Sequence, residues 1–147
     1  MDHVKTLNIL LVEDDPGHAR LVERNLRRAN IMSAINQFNN GQELIDYLSE
    51  KRCDANVILK ESWLILLDLN MPLMDGYDVL RYLKAEPQLK HIPVIVLTTT
   101  YDPREITRCY DLGCNVYITK PVDYEQFSEA INRLGQFLSI ITIPDSA

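Results

Sequence analysis

Short, continuously apolar runs alternate along this chain with stretches in which apolar residues recur every three or four positions. Residues 7–12 are apolar except for Asn8 and stop at Glu13-Asp14-Asp15. That pattern predicts a strand buried on both faces. From Asp15 onward Ala19, Val22, Leu26 and Ala29 fall at helical spacing, with Asp15 placed to cap the helix and Pro16 at its first position. Weaker alternation over residues 33–38 predicts a second strand near a sheet edge, and Leu44, Ile45 and Leu48 mark a second helix. Residues 52–62 show no period and read as a loop extension before a third strand at 63–67. After Gly76 the stripe Val79, Leu80, Leu83 predicts a third helix ending before Pro87, and residues 94–97 form a fourth, β-branched strand. Residues 103–112, stopped by Gly113, predict a fourth helix, and 116–119 a fifth strand. Residues 124 to about 138, with Phe127, Ala130, Ile131 and Leu134 inward, predict a fifth helix.

Five strands alternating with five helices imply an α/β fold: a doubly wound, five-stranded parallel sheet between two helix layers, followed by an apolar C-terminal extension. The 147 residues suffice for one domain, with a core over about 7–138 and an extension over 139–147. Composition changes the picture by exclusion. With 46% hydrophobic and 24% charged residues the chain can bury a core, and disorder is set aside. The 21 acidic residues against 15 basic ones give a formal charge of −6, which argues against nucleic acid or an anionic membrane as partner. The run Trp63-Leu64-Ile65-Leu66-Leu67 is far shorter than the ~20 residues of a membrane helix, and no targeting segment is recognisable at Met1. Cys53, Cys109 and Cys114 lack the spacing of a disulfide framework or zinc site, and Cys109 and Cys114 read as small apolar fillers. A cytoplasmic protein is expected.

Open parallel sheets bind ligands beyond the carboxyl ends of their strands. Here those ends are polar: Glu13, Asp14 and Asp15 after strand one, Asp68 after strand three, Thr98 after strand four, Lys120-Pro121 after strand five. In the order 2-1-3-4-5 these groups converge. Gathered Glu13, Asp14 and Asp68 would crowd three negative charges, relieved by raised pKa values or, better, by a divalent cation. Mg²⁺ with the Lys120 ammonium offsets them formally, and hard oxygen ligands suit Mg²⁺. A carboxylate held beside such a cation and an ammonium can attack a phosphoryl group, which nominates Asp68 as nucleophile, with Lys120 and the Thr98 hydroxyl on phosphoryl oxygens. A carbonyl near Asn70 would complete the metal shell. Taken singly, each acid is more simply a turn or cap residue, Lys120 a solvated lysine and Thr98 a strand-end hydroxyl. Their value is joint. His3, His18 and His91 are scattered and are not expected to bind metal.

The motifs Leu11-Val12-Glu13-Asp14-Asp15, Leu67-Asp68-Leu69-Asn70-Met71-Pro72-Leu73-Met74-Asp75-Gly76, Val96-Leu97-Thr98 and Tyr117-Ile118-Thr119-Lys120-Pro121 occur in that order. With them the chain resembles the CheY-like receiver domains of two-component response regulators over about residues 7–138. The resemblance implies a flavodoxin/CheY-like fold, Glu13 and Asp14 as the acidic metal pair, Asp68 as phosphoacceptor and Asn70 as a metal ligand through its backbone carbonyl. It further implies Thr98 and Tyr117 as a switch pair, Lys120 as the phosphoryl-binding lysine and Mg²⁺ as cofactor. The 52–62 insertion, the Asp-Leu-Asn-Met-Pro wording and the apolar tail resemble the small regulators that accompany cyanobacterial phytochromes. That implies a sensor histidine kinase, a phytochrome, as phosphoryl donor, and a homodimer. Thr99 departs from the small residue many receivers carry after the switch threonine, and its bulk bears on the lifetime of the phosphoryl group.

Ile140, Ile141 and Ile143 continue the apolar series of Phe137 and Leu138 past the last helix, a surplus that suggests an interface, with Ile106 and Tyr110 as further dimer candidates. The expected output is an altered surface around the fourth helix, fifth strand and fifth helix, passed to a downstream protein that the residues do not name. Catalysis is expected to be limited to the protein's own phosphorylation and dephosphorylation. A metal-dependent aspartyl phosphatase of the haloacid-dehalogenase kind is the first alternative, but its Asp-x-Asp is broken by Asn70. A pseudo-receiver is opposed by intact Asp68 and Lys120, and a flavodoxin-like carrier lacks support from any phosphate-cradling glycine loop.

Overall fold

The computed structural model describes residues 6–28, 31, 33–52, 61–69, 74–99, 102–119, 125 and 129. Five parallel strands, β1 (Thr6–Val12), β2 (Ala34–Phe38), β3 (Glu61–Asp68), β4 (Val94–Thr98) and β5 (Val116–Thr119), form one sheet in the order β2-β1-β3-β4-β5. Among the described residues four helices connect them: α1 (Pro16–Arg28), α2 (Gly41–Arg52), α3 (Gly76–Ala85) and α4 (Pro103–Asp111). Of the predicted fifth helix only Glu125 and Glu129 are described, both helical and exposed. The C-terminal extension, with Phe137, Leu138 and Ile140, lies outside the described residues.

The unbroken apolar runs follow from a sheet covered on both faces. Along β1, Leu10 and Val12 join a core with Leu44, Ile45 and Leu48 of α2 and Val79, Leu80 and Leu83 of α3. Ile9 and Leu11 point the other way, to Ala19, Val22 and Leu26 of α1. The period of two along β3 and β4 divides their residues between the same two cores: Ile65, Leu67, Val94 and Val96 on one side, Leu64, Leu66, Ile95 and Leu97 on the other. Only β2 is weakly patterned, as an edge strand should be; Ala34, Asn36 and Gln37 are exposed.

Most boundaries match the periodicity, with corrections at polar ends. β3 begins at Glu61, inside the stretch read as a loop extension, because ladder pairing with β1 runs on through Thr6–Glu61 and Leu7–Ser62 beyond the apolar residues. α2 includes Arg52, also read as loop. Residues 53–60, the rest of that insertion, lie outside the described residues.

Helix ends are set by identifiable caps. Asp15 Oδ1 accepts from the amides of Gly17 (2.8 Å) and His18 (3.2 Å), and Asp75 Oδ1 accepts from the Asp78 amide (2.9 Å). α4 starts at Asp102-Pro103 and closes with amides of Gly113 and Cys114 donating to the carbonyls of Tyr110 and Cys109, both at 3.0 Å. That closure requires a left-handed residue, and Gly113 has φ +105°. Cys109 and Cys114 are buried and free, and burial pushes the Cys114 thiol up to about 12. They serve as apolar filler.

Candidate functional site

Parallel pairing in register brings the carboxyl ends of β1, β3 and β4 side by side: Val12 pairs with Leu67, and Asp68 with Leu97. The residues one step beyond therefore share a crevice. Glu13, Asp14 and Asp68 each place a carboxylate oxygen there, all within 4.8 Å of one another. Glu13 is 0% exposed and Asp68 4%, whereas Asp14 faces solvent. Thr98, at the end of β4 next to Leu97, is fully buried as well.

Backbone contacts hold these acids in place. The Glu13 amide donates to the Phe38 carbonyl (2.9 Å), and Gln37 Nε2 donates to the Glu13 carbonyl (3.1 Å), so β2 fixes the turn that carries the first two acids. Glu13 Oε2 accepts from the Asp15 amide at 3.3 Å. On the other side the Leu69 amide donates to the Leu97 carbonyl (3.2 Å), and the Gly76 amide to the Leu69 carbonyl (3.1 Å). Gly76 permits that close approach: a Cβ there would lie 2.8 Å from Leu69 Cα and 3.1 Å from the Asp68 carbonyl oxygen. The start of α3 thus presses directly on the backbone of Asp68.

Three clustered carboxylates, two of them out of water, repel one another unless a cation joins them. An all-oxygen, hard donor set of this kind fits a small divalent ion, and Glu13, Asp14 and Asp68 are the residues to hold it. The predicted contributions of Asn70 and Lys120 lie outside the described residues.

Tyr117 is half-buried on β5, and its hydroxyl shares a hydrogen bond with that of Thr98. Burial, above all, pushes the Tyr117 phenol up to about 12, so it remains a neutral hydroxyl at any physiological pH. Tyr117, together with Tyr77 of α3, packs against the core that contains Cys109 of α4. The guanidinium of Arg108 lies 4.0 Å from the centroid of the Tyr77 ring. Thr98 therefore connects the crevice to the α4–β5 surface through one side-chain contact. Of the dimer candidates on α4, Ile106 is half-buried and Tyr110 is 44% exposed.

Two participants are not apparent from the sequence. Gln37 bears on Glu13 only because β2 pairs with β1. His18, set aside with the other histidines, has Nδ1 3.7 Å from Glu13 Oε1 and 3.8 Å from Asp15 Oδ2. The signal for His18 is its place in the first turn of the helix that follows the acids, a position that faces back toward the strand end.

A five-stranded parallel sheet in this order, with clustered acids beyond the ends of β1 and β3, is the doubly wound architecture that binds ligands at its switch point. Residues 9–132 match the response regulator receiver domain, and the chain belongs to that family. A receiver domain from Rhodospirillum rubrum is 48% identical, with TM-score 0.75, covering 95% of this chain and 98% of that one. The response regulator Rcp1 of Synechocystis sp. is 34% identical over 137 residues, 92% of each chain. Its Mn²⁺-bound form aligns with TM-score 0.70 at 31% identity, over 95% of this chain and 99% of that one. The phosphorylated cyanobacterial phytochrome response regulator RcpA aligns with TM-score 0.73 at 33% identity, over 96% of this chain and 99% of its own.

Proposed function

We propose that this protein is a single receiver domain that accepts a phosphoryl group on Asp68 and signals by a change in the surface around α4 and β5. The observation that carries the reading is the convergence of Glu13, Asp14 and Asp68 within 4.8 Å at the strand ends beside buried Thr98. A carboxylate oxygen of Asp68 attacks the phosphorus of a phosphohistidine on a sensor kinase. The new O–P bond forms as the P–N bond breaks, and the imidazole leaves. Glu13, Asp14, Asp68 and the backbone carbonyl of Asn70 would hold Mg²⁺, which when bound would supply charge neutralisation to the crowded acids and the phosphoryl oxygens. Lys120 contributes an ammonium to one phosphoryl oxygen, and the Thr98 hydroxyl donates to another.

Thr98 has one proton to donate and lone pairs to accept with. When it turns its proton to the phosphoryl group, its contact with the Tyr117 hydroxyl is re-formed or lost, and the packing of Tyr117 against its core shifts with it. Phosphorylation thereby biases two packings of one core rather than building a new one. The chain turns over no external substrate in this reading; its chemistry is confined to its own phosphoryl group.

The likeness to RcpA supports a phytochrome-type histidine kinase as donor, and the Mn²⁺-bound form of Rcp1 supports a divalent ion in the acidic crevice. Among the described residues no helix is long and apolar enough to cross a membrane, which accords with action in the cytoplasm. The protein acts as a homodimer, with the tail residues Phe137, Leu138 and Ile140 at the contact beside Ile106 and Tyr110 of α4. Sedimentation of a chain truncated after Leu134 is expected to show monomers; an unchanged dimer would take the tail out of the interface.

The direct test is incubation with a small acyl phosphate followed by intact-protein mass spectrometry. One phosphoryl group is expected per chain with Mg²⁺ present and none after chelation. Equal uptake with and without the ion would overturn the reading.

A further inference from the structure

Gly41 opens α2 beyond the carboxyl end of β2, at the end of the sheet where the acids gather, and nothing in its backbone calls for a glycine. Among the described residues only Gly113 has a positive φ, so alanine, the better helix former, could adopt the conformation of Gly41. What excludes a side chain there is space. A Cβ on Gly41 would lie 2.7 Å from the Met74 carbonyl oxygen, 2.6 Å from Val79 Cγ2 and 3.1 Å from Met74 Cβ. The carbonyl is backbone and cannot rotate away as a side chain does, so the start of α2 bears directly on the chain just before Gly76.

That contact is one joint of a strut running between the two acid-bearing turns. At one end Gln37 Nε2 donates to the Glu13 carbonyl at 3.1 Å, and the Phe38 carbonyl accepts from the Glu13 amide at 2.9 Å. The next residues are fixed as a cap: Asn40 Oδ1 accepts from the Glu43 amide at 2.9 Å, and Glu43 Oε1 from the Asn39 amide at 3.2 Å. Gly41 then meets Met74, and two residues further on Gly76 abuts Leu69 Cα and the Asp68 carbonyl. We infer that Gly41 is a positioning residue for the crevice: its contact with Met74 sets the separation of Glu13 from Asp68, and with it which divalent ion fits between them. The inference rests on the proposed metal-binding role of the crevice and adds to it a selectivity determinant that touches no ligand atom. Mg²⁺ demands near-octahedral geometry at about 2.0–2.1 Å, whereas Ca²⁺ accepts irregular shells at about 2.3–2.6 Å. A Cβ at position 41 that displaces residues 74–76, and Asp68 with them, therefore costs Mg²⁺ more than Ca²⁺.

The test is calorimetric titration of the full chain with Mg²⁺ and, separately, with Ca²⁺ for wild type, Gly41→Ala, Asn40→Ala and Asp14→Asn, with urea midpoints measured alongside. Gly41→Ala is expected to weaken Mg²⁺ at least about ten-fold while Ca²⁺ stays within about three-fold. Asn40→Ala loosens the same strut at a partly exposed residue without adding bulk, and is expected to weaken Mg²⁺ about five-fold with Ca²⁺ within about two-fold. Should Gly41→Ala fail to fold, Asn40→Ala decides alone. Mg²⁺ affinity within about two-fold of wild type in the folded variant would leave Gly41 a packing residue without bearing on the crevice, and equal losses for both ions would mean a crevice damaged and not retuned. Either result overturns the inference. Failure of the crevice itself is distinguishable: wild type would then bind neither ion in a manner that Asp14→Asn diminishes.

Discussion

Asp68→Asn is expected to reduce phosphoryl uptake from a small acyl phosphate at least about a hundred-fold, because a carboxamide oxygen is a far poorer nucleophile than a carboxylate. The substitution is nearly isosteric at a residue 4% exposed, and the backbone around it is held by the Leu69 and Gly76 amides, so the fold should survive. Circular dichroism and the urea midpoint check that survival independently of the chemistry. Retained uptake in a folded Asp68→Asn protein would place the acceptor elsewhere. Asp14→Asn provides the contrast: it leaves the nucleophile in place and acts through the cation, so excess Mg²⁺ should restore much of its uptake, whereas no concentration of the ion should rescue Asp68→Asn.

The second large effect concerns the strand that carries this chemistry. Leu66 lies on the central strand β3, paired with Leu11 of β1 and Ile95 of β4, and is completely buried among Leu64, Leu97 and the inward face of α1. Leu66→Ala removes three carbon atoms from a position with no route to solvent. The lost burial and the residual cavity together should cost about 3 to 4 kcal/mol. Against a typical domain stability of about 5–15 kcal/mol the variant remains folded, with its urea midpoint lowered by roughly 1.5–2 M. Asp68 is only two residues away but sits at the strand end, fixed by its own hydrogen-bonded neighbours. The folded fraction should therefore still take up a phosphoryl group. A loss of stability below about 1 kcal/mol would show that the sheet is not the continuous core described here.

The strand–helix alternation was readable because the sheet is buried on both faces. Ile9 and Leu11 serve one core while Leu10 and Val12 serve the other, so the run looks uniformly apolar instead of alternating. Where ladder hydrogen bonds extend past the apolar residues, as at Glu61 and Ser62, side-chain pattern carries no trace of them. The start of α2 did carry a local signal. Asn40 Oδ1 accepts from the Glu43 amide (2.9 Å), and Glu43 reaches back to the Asn39 amide (3.2 Å), a capping pattern visible as Asn-x-x-Glu.

The acids of the site were legible for a different reason: strand ends in a parallel sheet have to converge, so position within the topology substitutes for proximity in sequence. Gln37 and His18 escaped that logic. Gln37 acts through pairing of an edge strand whose pattern is weak, and His18 through the angle at which α1 leaves its cap, neither of which periodicity encodes. Gly76 marks in sequence only where the third helix starts, and its close approach to the Asp68 carbonyl depends on how α3 packs on β3.

The proposed chemistry requires that one particular carboxylate of the three, that of Asp68, bears the phosphoryl group. Phosphorylation followed by borohydride reduction converts an acyl phosphate on aspartate to homoserine, and peptide mass spectrometry locates it. Homoserine is expected at position 68, none at position 14, and at position 13 none of the 2-amino-5-hydroxypentanoic acid that a glutamyl phosphate would give. Homoserine at Asp14, or a modified residue outside the crevice, would contradict it.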